Sequence, residues 1–399
     1  MNNTNYKKKI LFITSLYSGI KDSVIQRRWN PKGMPAIVKL LEYLNTYDIN
    51  FDYVFLSNNK DNIFKIDFFN DSIFFFIQKL KFKIKFKIIS DIINSFVNVY
   101  RINKKIDINS YDIIYLDRAN VDLIPFLKYF YKGKIFLRLH GIHTLYQNFS
   151  NSGFYRFQNY FKRLSFKQKI DYVIASKDGT PVEIFLQKFL HKDTPRKVLL
   201  NGVEIVDDVK FNFDRKRLIF LVLGRLEVDK GIFEIIESFS SLNKKFQKNW
   251  ELWIIGDGSL KSFVQKSEIN NSSIKYLGKM TFFEVSLKFK EVDVVISLNQ
   301  LGNLSNVVLE SINNEKMIIT LKKDLENDFD IESNSFLTDN VKYVSRYQMK
   351  NNLISLLEEI FQNKNIVSEF SSKTKNNLKP KLIGWKDRIN AEVTVLNNL

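Results

Sequence analysis

The sequence predicts an α/β chain of two parallel-sheet domains, and three observations carry that prediction. Its 399 residues exceed one ordinary core and suit two domains of nearly equal size. Hydrophobic residues at 45% and charged residues at 26% are globular values that argue against general disorder. Short continuous apolar runs, each stopping at glycine or polar residues, alternate with segments of helical period. That is the pattern of strands buried on both faces and joined by crossover helices.

The first strand is read at residues 9–14, followed by Ser15, Ser18 and Gly19 in a loop. A long polar loop with Arg27, Arg28, Trp29 and Pro31 then reaches Gly33, after which Ile37, Leu40, Leu41 and Leu44 recur at helical spacing. Residues 51–56 give the next strand, completing a β-α-β opening. From 60 to 105 the signal weakens into lysine, phenylalanine and isoleucine. There Lys81, Lys83, Lys85 and Lys87 alternate with Phe82, Ile84 and Phe86, a period of two that suits a strand and not an interfacial helix. This stretch reads either as a strand with its lysines in water or as a basic element for membrane contact. Ile88, Ile92 and Phe96, with Ile89, Ile93 and Val97 beside them, are helical.

Further strands are expected at 113–116, 135–139, 172–175 and 197–200, with helical segments after Asp122 and Asp178. The turn dipeptide Asn201-Gly202 marks the boundary of a first domain, 1–202. After a polar stretch at 204–217, a second series of apolar runs at 218–223, 251–255, 274–277, 292–298 and 317–320 makes a second parallel sheet in a domain spanning 203–384. Trp385, Ile389, Val393 and Leu396 place an amphipathic helix at the end, read as core packing.

Composition narrows the function. The absence of cysteine excludes disulfides, thiolate metal sites and cysteine nucleophiles, and fits a reducing compartment. No apolar run approaches the ~18 residues of a membrane span. Residues 1–9 lead into a strand without a signal-peptide cleavage site, so a cytoplasmic protein is expected. The net charge of +18 comes mainly from lysine, without the clustered arginine and reading module of a nucleic-acid binder. An anionic substrate or anionic membrane surface is the better partner for it. No His/Asp cluster has metal-ligand spacing.

In open parallel sheets ligands sit beyond the carboxyl ends of the strands. Gly224 and Arg225 follow the run at 218–223, and Lys230-Gly231 lies at the start of the next helix, so both cations can meet one diphosphate. Gly256-Asp257-Gly258 follows a second run, and Gly302, Asn303, Ser305 and Asn306 form a loop after a third. That loop leads into a helix whose exposed N–H groups favour phosphate. Glu310, one turn inside that helix, is suited to accept hydrogen bonds from ribose hydroxyls.

Together, Gly224-Arg225-Leu226 with Lys230-Gly231, Ile255-Gly256-Asp257-Gly258, Leu277-Gly278, the run at 292–297 and Leu304-Ser305-Asn306-Val307-Val308-Leu309-Glu310-Ser311 resemble the retaining glycosyltransferases of family four. Leu139-His140-Gly141, the run at 171–176 and Leu200-Asn201-Gly202-Val203 extend the resemblance into the first half. It implies the GT-B fold: two facing Rossmann-like domains, the acceptor-side one completed by residues 385–399, with the active site in the cleft between them. It implies transfer of a sugar from a nucleoside diphosphate sugar to a lipid-linked glycan acceptor, as in surface polysaccharide synthesis, without metal or cofactor, at the inner face of the cytoplasmic membrane.

By the resemblance His140, Arg225 and Lys230 would serve catalysis. Gly33, Gly224, Arg225, Lys230, Gly256, Gly302, Asn303, Leu304, Ser305, Asn306 and Glu310 would hold the donor. The loop with Arg27, Arg28 and Trp29 reads either as a holder of an acceptor phosphate or as an ordinary surface loop. His143 and His191 receive no role. The family's motif has a first glutamate eight residues before the second, and here that position is Gly302, which bears on donor-sugar identity. A catalytically silent membrane-surface partner that keeps the fold is the alternative reading of that change.

Overall fold

The computed structural model describes residues 8–399 except 16, 32, 34, 48, 70, 143–144, 151–152, 154–156, 207–216, 243–245, 247 and 325–333. His143 and most of the polar stretch at 204–217 therefore lie outside the described residues. The chain divides into two compact units. One holds residues 1–176, 182–199 and 386–399, and the other holds 177–181 and 200–385.

The first unit carries an eight-stranded sheet: β1 (Ile10–Ser15), β2 (Phe51–Ser57), β3 (Asn62–Phe64), β4 (Phe74–Gln78), β5 (Ile113–Asp117), β6 (Lys134–Leu139), β7 (Tyr172–Lys177) and β8 (Arg196–Leu200). Their order is β3-β4-β2-β1-β5-β6-β7-β8. The pairs from β4 through β7 are parallel, and β3 lies antiparallel against β4. The order turns back between β1 and β5, the switch point at which doubly wound sheets open a crevice. One face is a ladder of aromatic rings in register: Phe12 pairs with Tyr53 at 5.3 Å and Tyr115 at 4.5 Å, and Tyr115 with Phe136 at 4.9 Å. Cross-strand aromatic pairs of this kind add to area burial. The opposite face packs Leu11, Ile13, Val54, Ile114 and Leu137 against helices.

The second unit carries β9 (Leu218–Leu223), β10 (Trp250–Ile255), β11 (Ile274–Gly278), β12 (Val294–Ser297), β13 (Met317–Leu321) and β14 (Lys342–Val344). Their order is β11-β10-β9-β12-β13-β14, with every pair parallel. The direction of winding reverses between β9 and β12.

Three expectations are corrected. Residues 81–86 form no strand: Leu80 and Phe82 bond through their backbones to Asn98 and Asn94 side chains of the helix Lys87–Lys105 instead of joining a ladder. The alternation there is a run of exposed residues between β4 and that helix. Second, the loop expected after Ser15 contains the helix Ser18–Ile25. Third, β3, β4 and β14 went unread; β3 and β14 have three residues each, too few to show a period, and the phenylalanines of β4 are continuous with the apolar residues on either side. The terminal helix Trp385–Asn398 forms as expected.

Candidate functional site

The carboxyl ends of β9, β10 and β11 are bound together by glycine. Gly224 (φ 139°) donates its N–H to the Ile255 carbonyl at 3.0 Å, and Gly256 (φ 146°) to that of Gly278 at 2.9 Å. A Cβ on Gly256 would lie 1.8 Å from the Gly224 oxygen, so this approach of two backbones requires glycine. Arg225 projects from this turn, exposed, and its guanidinium makes no hydrogen bond or ion pair with the described residues.

Lys230 ends the short turn Val228–Lys230, and Gly231 follows in the left-handed region at φ 67° before the helix Ile232–Ser240. The Lys230 ammonium donates to Asn299 Oδ1 at 2.9 Å and pairs with Asp229 at 2.9 Å. Asn299 lies just beyond β12, donates from Nδ2 to the Gly302 carbonyl at 2.7 Å and accepts from the Leu301 N–H at 3.2 Å. Gln300 N–H reaches the Asp229 carbonyl at 2.8 Å. Lys230 and the 299–302 loop are thus one hydrogen-bonded piece at the switch point. Asn299 was not singled out in the sequence, although it follows an apolar run by the same rule that picked Arg225.

Gly302 fills its place by having no side chain. A Cβ there would come within 2.6 Å of the Asp178 carbonyl oxygen and 3.2 Å of the Thr180 nitrogen. Leu304 N–H donates to that same Asp178 oxygen at 3.1 Å. The backbone of 178–180 therefore occupies the space into which a side chain at 302 would begin. Gly302→Ala is expected to cost about 1–3 kcal/mol through overpacking against a backbone that cannot step aside. Urea titration of the variant checks this, and an unchanged midpoint would remove the steric account.

Asn303 is buried and donates to the Leu321 carbonyl at 3.2 Å, while Leu304 packs with Val308, Leu309 and Ile312. Ser305 is the extended residue before the helix Asn306–Asn313, and its hydroxyl is buried without a hydrogen-bond partner among the described residues. Asn306 Oδ1 accepts from Asn201 Nδ2 at 2.7 Å. Glu310 is largely buried one turn into the helix, and burial pushes its carboxyl up to about 7. A hydrogen bond from Asn313 opposes that rise and Glu204 adds to it. The Arg225 and Glu310 side chains make no direct bond to the Lys230–Asn299–Gly302 group.

In the first unit His140 follows β6, and its Nε2 is buried without a partner among the described residues. Burial first, then the charges of Arg138, Arg388 and Arg118, holds its pKa well below the ordinary histidine value, so the ring is neutral. Tyr17 stands edge-on to it at 6.4 Å and donates to Asp117, whose carboxylate also accepts from Ser15 N–H at 3.0 Å and Asn120 at 2.8 Å. This arrangement occupies the β1/β5 switch point.

Beneath it, Arg138 and Arg388 are both buried and share Glu392 at 3.5 Å and 2.9 Å. Tyr115 donates to the same carboxylate at 2.6 Å. None of these was picked out in the sequence, although a charged Arg138 inside an apolar strand run was a signal.

Arg27 and Arg28 are exposed at the end of the helix Ser18–Ile25. Arg28 N–H bonds to Ser23 O and Arg27 N–H to Val24 O, with Arg27 in the left-handed region at φ 54°, a Schellman ending. Gly33, at φ 91°, has nothing within 4 Å of where a Cβ would stand. Among the described residues no group of three or more His, Asp or Glu could hold a metal ion.

Residues 204–328 match the family described as glycosyl transferases group 1. A curated relative from Campylobacter jejuni is 24% identical over 34% of this chain and 36% of its own length. Its name is GalNAc-alpha-(1->4)-GalNAc-alpha-(1->3)-diNAcBac-PP-undecaprenol alpha-1,4-N-acetyl-D-galactosaminyltransferase. Among solved structures, sucrose-phosphate synthase from Thermosynechococcus elongatus superposes with a TM-score of 0.69 at 11% identity, covering 98% of this chain and 99% of that one. The HepE protein of Anabaena, solved with UDP-glucose, gives 0.64 at 12% identity over 98% and 100%. The chain therefore has the GT-B fold of two α/β units, and residues 204–328 of its second unit are a glycosyl transferases group 1 domain.

Proposed function

We propose that the protein is a retaining glycosyltransferase that moves a sugar from a nucleoside diphosphate sugar to a lipid-linked glycan, at the cytoplasmic membrane surface and without a metal. The observation that carries this reading is the Lys230–Asn299–Gly302 group at a sheet switch point, with the exposed Arg225 on the turn that follows β9, within a glycosyl transferases group 1 domain. As the bond from the anomeric carbon to the diphosphate oxygen breaks, negative charge grows on the leaving phosphate. Arg225 and Lys230 stabilise that charge.

The leaving phosphate takes the acceptor hydroxyl's proton on the same face, so the new glycosidic bond forms with retention and no protein nucleophile. Gly224, Gly256, Gly302, Ser305 and Asn306 bring backbone close to the donor. Glu310 accepts from the ribose hydroxyls, and neutral His140 offers Nε2 to a sugar hydroxyl. The Campylobacter relative's name supports a diphosphate-linked lipid acceptor.

The test is a screen of nucleoside diphosphate sugars for enzyme-dependent nucleoside diphosphate release, with a membrane lipid extract as acceptor and a chelator present. Release on one donor, undiminished by the chelator, is the expected result. Tight nucleoside diphosphate binding without turnover on any donor would replace this reading with a silent binding protein.

Glu310→Gln adds a second readout. The folded carboxyl titrates near 7 against 4.5 for a free one, so the folded state holds a proton that the unfolded state releases. The native protein loses stability as pH rises between those values. The glutamine variant should be more stable than the native chain at pH 8, by about 1–2 kcal/mol. It should also bind donor about tenfold more weakly, as expected for one lost charge-assisted hydrogen bond. Weaker binding without the gain in stability would mean that Glu310 is not strained at this position.

A further inference from the structure

The helix Lys87–Lys105 leaves an apolar stripe exposed. Ile89, Ile93, Phe96 and Tyr100 recur at spacings of four, three and four, yet all are exposed, Ile89 by 46% and Tyr100 by 50%. The face turned inward carries Ser90, Ser95 and Asn98, followed by Val99 and Ile102, which join the core of the first unit. The cause is the run before it. Phe82 N–H bonds to Asn94 Oδ1 at 2.6 Å, Leu80 N–H to Asn98 Oδ1 at 3.0 Å, and Ser90 donates to the Phe82 carbonyl. Ser90, Asn94 and Asn98 thus satisfy the backbone of 80–82, Val99 and Ile102 anchor the helix in the core, and the second apolar stripe is left facing outward.

That stripe is continuous with other exposed apolar groups. Phe82, Ile84 and Phe86 precede it, Phe86 being 61% exposed. Phe96 rests on half-buried Phe126 at 5.5 Å, and Lys87 reaches the Gln158 carbonyl at 2.7 Å, beside exposed Phe157 and Tyr160. Exposed apolar side chains grouped in this way, rimmed by polar residues, mark an interaction surface.

Its charge says what does. Lys81, Lys83 and Lys85 interleave with the exposed rings and make no ion pair with the described residues. Two nearby carboxylates are neutralised, Asp91 by Lys87 at 3.1 Å and Asp61 by Arg101 at 2.9 Å and Lys105 at 2.5 Å. Apolar side chains that dip below the headgroups, flanked by unpaired cations at headgroup level, match an anionic bilayer.

We infer that residues 81–86 and the outward face of the helix Lys87–Lys105 dock on an anionic lipid surface. This deepens the membrane-surface part of the proposed function and rests on it for location alone. Vesicle binding is read without any sugar transfer, so either idea can fail without the other.

The test is co-flotation of the full chain with phosphatidylcholine vesicles, with and without phosphatidylglycerol, at physiological ionic strength. Binding to the anionic vesicles only is expected. K81Q/K83Q/K85Q should bind about a hundredfold more weakly, from the worth of three lysines near an anionic surface. F82S/F86S should lose about tenfold or more with the charges intact. All five side chains are exposed, so both variants should melt as the native chain does. No flotation, or equal flotation of the variants, would overturn the inference. So would a concentration-dependent dimer that F82S/F86S dissolves, because the patch would then belong to a second copy.

Discussion

Arg225→Ala should lower kcat/KM about a hundredfold, or about 3 kcal/mol of transition-state stabilisation. The fold should not notice: the side chain is exposed and bonds to no described residue. Donor binding should weaken less than kcat falls, because the charge that Arg225 meets is largest when the sugar–phosphate bond is breaking. Lysine at this position should rescue only in part, since a point charge cannot reproduce the bidentate fork. Full activity in the alanine variant would remove Arg225 from the chemistry. An equal fall in thermal stability would instead make it a structural residue.

Glu392→Ala should be the most damaging single change to the first unit, at about 3–5 kcal/mol, because it leaves two buried guanidinium groups without their carboxylate. Tyr115 loses its acceptor in the same step. Thermal or urea unfolding, followed by the fluorescence of the first unit, measures the loss.

The pH dependence has a definite sign. Burial raises the Glu392 pKa, but Arg138 and Arg388 outweigh it and hold the group below the ordinary glutamate value. Its contribution is therefore present above 4.5 and lost as the pH falls through the lowered folded-state value. A variant as stable as the native chain would show that the cations find other partners.

Much of the strand content was legible because strands buried on both faces leave continuous apolar runs. The run at 218–223 and β9 coincide, and β1, β2, β5, β6 and β10 fall within one or two residues of their expected positions. The segment at 81–87 misled for a physical reason. Alternation reports only which side chains lie on opposite sides of an extended backbone, and here the backbone is extended but pinned by Asn94 and Asn98 side chains. The neighbouring helix was found by its period, yet the period cannot say which face turns inward. Polar groups face the interior when a neighbouring backbone needs hydrogen bonds there, and that need arises only in three dimensions.

By itself the sequence determined the α/β class, the strand–glycine–cation grouping at 218–231 and the glycine at 302. Local composition and spacing are sufficient for these. Only the tertiary structure decided strand order, which sets β12 beside β9 and so brings Asn299 to the Lys230 ammonium. It also decided that the Asp178 backbone fills the space beside Gly302, and that Glu392 neutralises Arg138, far away in sequence. These are long-range contacts, and no local pattern encodes which distant backbone or charge will arrive.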